Sequence, residues 1–114
     1  MTVKLVDRTG VVTAAAPYVY TYGPPTASGR THTRAEWLFY ALKWNQSGSV
    51  LVETSNDGTD YTALGTAQAF LANEDVSGDV LVEHIYVKLT FTANADTSAA
   101  AYVHIFISEQ DMPR

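Results

Sequence analysis

Between His84 and Thr92 the chain alternates without interruption, with Ile85, Val87, Leu89 and Phe91 on one side of an extended backbone and Tyr86, Lys88, Thr90 and Thr92 on the other. Successive side chains of a strand point to opposite faces, so such a run has one dry face and one wet face. Ala101, Val103, Ile105 and Ile107 repeat the pattern against Tyr102, His104, Phe106 and Ser108, after a turn at Asn94-Ala-Asp-Thr-Ser. Two such runs need a second layer to cover them, which constrains the chain to packed sheets. If the two runs pair with each other, opposed residue numbers must differ by an even amount, setting Val87 against Val103 or Ile105 and never against His104.

The stretch Ser47 to Thr66 adds a turn of defined chemistry. After Gly48, Val50, Val52 and Thr54 share one side of a strand and Leu51, Glu53 and Ser55 the other. Asn56 and Asp57 can bond their own backbone and Gly58 is free to take positive φ, so the chain reverses before a second strand at Tyr61 to Leu64. Ala35 to Trp44 has helix-favouring Ala, Glu, Leu and Lys, yet Leu38, Tyr40, Leu42 and Trp44 alternate with Trp37, Phe39, Ala41 and Lys43. Its aromatic density fits a strand, and apolar residues on both faces put that strand centrally or against another chain. Asn45-Gln-Ser-Gly turns it into the strand that follows.

The remaining segments give shorter signals. Val3 to Val6 and Val11 to Ala15 read as two short strands around a turn at Asp7-Arg-Thr-Gly, so residues 1–16 form edge strands or an N-terminal arm. Pro17 lacks an amide donor and belongs at an edge, a bulge or a strand start. Beyond it Tyr18, Tyr20 and Tyr22 share one face of a strand with Val19 and Thr21 opposite. Three such tyrosines can form a glycan-stacking platform, although packing with the hydroxyls reaching water, or a subunit contact, is the commoner use. Residues 23–34 read as a long exposed loop, whose Arg30, His32 and Arg34 make it the one locally basic place on the chain. It is either a docking loop for an acidic surface or a solvated connection. Ala67 to Leu71 adds a short strand, Asn73 to Asp79 an acidic connection, and Glu109 to Arg114 a polar tail.

Seven to nine strands with turn signals about every ten residues and no helix point to an all-β fold, a single antiparallel β-sandwich of jelly-roll type spanning residues 1–114. At 114 residues one core is expected. Twelve acidic residues against seven basic ones give a formal charge of -5, which repels a phosphate backbone and argues against nucleic acid. The charged N-terminus does not read as a signal peptide, and no run approaches the ~20 apolar residues of a membrane helix, so the expected product is soluble and made in the cytoplasm. Charged residues are only 17% against 46% hydrophobic, a mix that suits a sheet protein with part of its surface committed to neighbours.

No reaction chemistry is legible. His32, His84 and His104 are scattered and do not form a zinc spacing, and cysteine is absent; a histidine on a polar strand face is ordinarily just solvated. Asn56, Asp57 and Asp60 offer oxygens to calcium, but the turn alone explains Asn-Asp-Gly. Glu36, Glu53, Asp79 and Glu83 include candidates for a carboxylate pair, yet nothing in the sequence sets two of them across a cleft. No phosphate loop or nucleophile elbow is present. The expectation is a protein without catalytic machinery and without cofactor or metal.

Val50-Leu-Val-Glu followed by Ser55-Asn-Asp-Gly-Thr-Asp-Tyr61 resembles the strand-turn-strand unit of discoidin-like jelly rolls, in which Val-x-Val-Glu precedes Ser-x-Asp-Gly-x-x-aromatic, often with Trp where this chain has Tyr61. The likeness runs from about Ala35 to Ser108. In a short cysteine-free chain built of this unit alone, it resembles small virion proteins of tailed phages, such as capsid decoration (cement) proteins and head-fibre or tail domains. That resemblance implies a passive accessory protein of the virion that docks on the major capsid protein of an assembled shell, commonly as a homotrimer. Tyr18, Tyr20, Tyr22, Arg30, His32, Arg34, Trp37 and Phe39 are then the candidate subunit and capsid contacts. A carbohydrate-binding or host-adhesion module is the rival, and it requires exposed, coplanar aromatics beside Asp, Asn or Arg.

Overall fold

The computed structural model describes residues 2–23, 34–82 and 86–111. The described residues form nine strands: β1 (Thr2–Thr9), β2 (Tyr18–Tyr22), β3 (Arg34–Lys43), β4 (Gly48–Ser55), β5 (Thr62–Ala63), β6 (Gln68–Phe70), β7 (Val76–Leu81), β8 (Tyr86–Ala93) and β9 (Tyr102–Asp111). No described segment is helical. One sheet has the order β1-β9-β3-β7 and the other β2-β8-β4-β5, with β6 beside β5 on the same edge of β4. With β5 and β6 counted as one interrupted strand, partners nest from the outside inward: β1 with β9, β2 with β8, β3 with β7, β4 with β5 and β6, all antiparallel. Such an order is a long hairpin rolled into two facing sheets, closed by β9 on β3 and β8 on β4. The all-β sandwich expected from the sequence is therefore the fold, with jelly-roll order.

The alternating runs fill the space between the sheets. Val87, Leu89 and Phe91 of β8 and Val103 and Ile105 of β9 are each 0% exposed, and Leu38, Leu42, Trp44 and Val50 are nearly so. His84 and Ile85, which open the first of those runs in the sequence, lie outside the described residues. Rings lock the packing, with Phe91 at 5.8 Å from both Tyr18 and Tyr40 and Trp44 edge-on to Phe70 at 5.5 Å. The Trp44 indole donates to the carbonyl of Tyr102 at 3.2 Å, so a ring from beyond the end of β3 is pinned to β9.

Four readings need correction. β8 and β9 do not pair: they lie in opposite sheets, and the two dry faces meet across the interior, a solution that alternation satisfies as well as pairing does. Val3 to Val6 and Val11 to Ala15 are not two strands about a turn, because β1 runs straight through Asp7 and Arg8 and the Gly10 amide continues its bonding to Ala101. The following segment is tied to the 94–98 turn by Val12 and Thr97, each amide donating to the other residue, and by the Ala14 amide on Asp96. Asn73 to Asp79 is not all connection: Asn73 reverses the chain at φ 62°, and β7 starts at Val76, where Val76 and Val80 are buried between outward Ser77 and Asp79. β9 runs on to Asp111, into what reads as a polar tail. Pro17 directly precedes β2, a strand start as expected.

Candidate interaction surface

The inward set of each strand dictates what its other face carries. On the outside of the β1-β9-β3-β7 sheet, β9 presents Tyr102, His104, Phe106 and Ser108, and β3 presents Trp37, Phe39, Ala41 and Lys43. Directly opposed residues form rows across the sheet: Lys4, Phe106, Phe39, Asp79 in one and Asp7, His104, Ala41, Ser77 in the next. Along β9 the rings make a ladder, His104 stacking on Tyr102 at 4.7 Å and meeting Phe106 edge-on at 6.3 Å. Lys4 sits 5.6 Å over the Phe106 ring. Asp7 lies between His104 and Lys4, with Oδ1 3.0 Å from His104 Nε2 and Oδ2 3.5 Å from Lys4 Nζ. Phe39, Ala41, Ser77, Asp79 and Phe106 line a shallow open groove on this face. The outside of the other sheet carries Ser49, Glu53, Lys88, Thr90 and Thr92 around Leu51 and Val19, and there the rings of Tyr86 and Tyr61 lie against Gly58 and under Lys88 rather than in a row. Aromatic residues gathered on one outer face mark the side suited to a neighbour.

The three β2 tyrosines are elsewhere. Tyr18, Tyr20 and Tyr22 oppose Phe91, Leu89 and Val87, so they turn inward and pack half-buried against the core while Val19 and Thr21 face out. Burial, with the neighbouring Tyr18 adding to it, raises the Tyr20 phenol above its ordinary value. Arg8 closes the flank between the edge strands β1 and β2: its guanidinium lies 4.9 Å from the Tyr18 ring and donates to the carbonyl of Val11 at 2.9 Å. Arg30 and His32, with the rest of the expected loop from residue 24 to 33, lie outside the described residues. Arg34 opens β3 opposite Asp111, and its side chain lies outside the description. The structure thus joins Trp37 and Phe39 to one another and to Tyr102, His104, Phe106, Lys4 and Asp79, and does not join them to the tyrosines. In the sequence His104 reads as a solvated strand histidine; its neighbours two residues either way, Tyr102 and Phe106, were the signal of an aromatic face.

The motif at 55–61 is structural. Asp57 Oδ1 accepts from the Ser55 hydroxyl at 2.8 Å and from the amides of Thr59 and Asp60 at 2.8 and 2.9 Å. Those amides, foremost that of Asp60, hold its carboxyl at about 2. Gly58 takes φ 78° and lies against the Tyr86 ring, while Lys88 sits 4.2 Å over Tyr61. An oxygen engaged three ways is explained by the turn. Among the described residues no three His, Asp or Glu gather to hold a metal. Glu53 and Asp79 lie on opposite outer faces and cannot act as a pair, Glu83 lies outside the described residues, and the Glu36 side chain is not described.

No protein-family model matches the chain, and no curated protein sequence does. A solved structure does match: the coat protein dimer of Tobacco streak virus is similar with a TM-score of 0.60 at 10% identity, covering 100% of this chain and 86% of that one. This chain thus has a jelly-roll-like sandwich fold that a plant-virus coat protein also has.

Proposed function

We propose that the chain is a structural protein of a virion, in the narrowest reading a tailed-phage capsid decoration protein that docks on the assembled shell and stabilises it. The observation that carries the reading is the aromatic outer face of the β1-β9-β3-β7 sheet, set on a sandwich of coat-protein fold. A shell protein needs a rigid body, a face for its neighbours and an arm for its support. Trp37 and Phe39 belong to that face. Arg30, His32 and Arg34, basic on an acidic chain, are assigned to the shell contact, and Tyr18, Tyr20 and Tyr22 to the half-buried flank beside it. The partner is the major capsid protein, and neither cofactor nor catalysis enters.

The test is co-sedimentation with emptied capsids, paired with the melting temperature of those capsids. Binding that raises capsid melting, and that falls when Arg30, His32 and Arg34 are replaced together by Ser, is the expected result. A chain that ignores capsids overturns it. One observation favours a second reading, a carbohydrate-binding or adhesion module: Phe39 and Phe106 share a groove with Asp79 and Ser77, groups able to stack on a sugar and bond its hydroxyls. Retention on a glycan array that is lost in Phe39→Ala selects that reading.

A further inference from the structure

We propose that the outer face of the β1-β9-β3-β7 sheet pairs with the same face of a second copy, about a two-fold axis within about 15° of the strand direction and midway between β9 and β3. The inference rests on reading this face as an interface, and it names the partner.

A rotation by half a turn about such an axis keeps the position of a residue along the strand and inverts its position across the sheet. Each β9 residue therefore comes to lie over the β3 residue that opposes it within its own sheet, and each β1 residue over its counterpart on β7. The rows of the sheet are complementary under that operation. Phe106 meets Phe39 of the copy, and Lys4 at one rim meets Asp79 at the other. His104, a large ring, meets the small Ala41; Trp37 meets Ser108; and Tyr102 meets Lys43, a cation on a ring. No row sets like charges or two bulky aliphatic groups against one another.

Facing sheets of natural twist pack about 30° apart, so rows near the axis register best. Lys4 and Asp79 stand one and a half strand spacings from the axis, about 7 Å, which displaces them by about 3.6 Å along the strand, within the reach of a lysine. β3 and β9 are ten residues long. With β1 of eight residues and β7 of six, the four strands cover about 550 Å², or about 1,100 Å² for the pair, just above the ~1,000 Å² that a specific interface clears. The face is self-complementary in the sense an isologous contact requires, whereas a closed ring of three needs two different patches.

The test is charge exchange read by sedimentation equilibrium. The native chain is expected to dimerise. In Lys4→Glu alone each rim sets two carboxylates against one another, and in Asp79→Lys alone two ammonium groups, so each variant is expected to lose about tenfold in self-affinity. An equimolar mixture of the two variants allows a heterodimer in which one rim joins the two introduced side chains and the other the two native ones, each as a pair of opposite charges. Heterodimers are therefore expected to return to about the native affinity. Circular dichroism and melting of each variant confirm the fold, and Phe39→Glu, placed at the axis, is expected to be monomeric. A native chain that is monomeric at all concentrations, a mass of three copies, or single variants that self-associate as the native chain does would overturn the proposal. A dimer that behaves as described but does not bind capsids sinks the virion reading and leaves this pairing standing.

Discussion

Gly78 on β7 lies inward, opposite Tyr40 on β3, and the Tyr40 ring is laid across it. The phenol then reaches the other sheet, where its hydroxyl donates to Gln68 Oε1 on β6 at 2.5 Å. Gly78 has no left-handed φ to protect, so on backbone grounds Gly78→Ala should stabilise by about 0.4–1 kcal/mol through the unfolded chain. The structure dictates the opposite sign. A Cβ at this position overlaps the phenol, and Tyr40, only 5% exposed, has no room to retreat inward. A tyrosine buries about 150 Å² or more, worth about 4 kcal/mol at 25 cal/mol per Å², and expelling part of the ring forfeits about half of that. Net of the backbone gain, Gly78→Ala should cost about 1–2 kcal/mol.

Tyr40→Leu removes the ring and the bond to Gln68 and should cost about 2–3 kcal/mol by itself. In the double variant the new methyl occupies space the ring has left, so the combined cost should fall short of the sum by about 1–2 kcal/mol. Urea denaturation of the four proteins, followed by Trp fluorescence and fitted with a common slope, measures the cycle. A stabilising Gly78→Ala, or strict additivity, would refute the steric argument.

Two further outcomes follow from the same structure. Asp57 is held at about 2 against an ordinary 3.8, so the stability its turn contributes is present above pH 3.8 and is lost as pH falls through about 2; carboxyl NMR titration should show that midpoint in the native chain, and in Asp57→Asn the acid limb of the stability curve should flatten over that window. Leu89 is 0% exposed at the centre of β8 and Leu71 74% exposed beside β6, so Leu89→Ala should cost about 3–4 kcal/mol and Leu71→Ala under about 0.5 kcal/mol; equal costs by urea denaturation would mean that the core has been misplaced.

Alternation made β8, β9, β3 and β4 legible, because burial on one face imposes a period of two that no other element shares. The turn at Asn56 to Gly58 was legible for a chemical reason, the need for a carboxylate acceptor and a positive φ. β7 was hidden: an edge strand buries only alternate residues, and Ser77, Gly78 and Asp79 gave its sequence the look of a connection. The separation of β8 from β9 was equally hidden, since alternation reports that a face is dry and not which layer covers it. Of the candidate interface, Trp37 and Phe39 could be found from their own strand. Phe106, His104 and Asp79 could not be joined to them without the order β9-β3-β7, because a row across a sheet is composed of residues that are distant in the chain.

The nested pairing also has a cost in time. Among the described residues β1 pairs with β9 alone, about a hundred residues later, so a ribosome emitting this chain leaves β1 as bare adhesive edge until β9 has emerged. That sheet closes only once β9 is made, and crowded nascent copies are most at risk of sticking to one another in that interval.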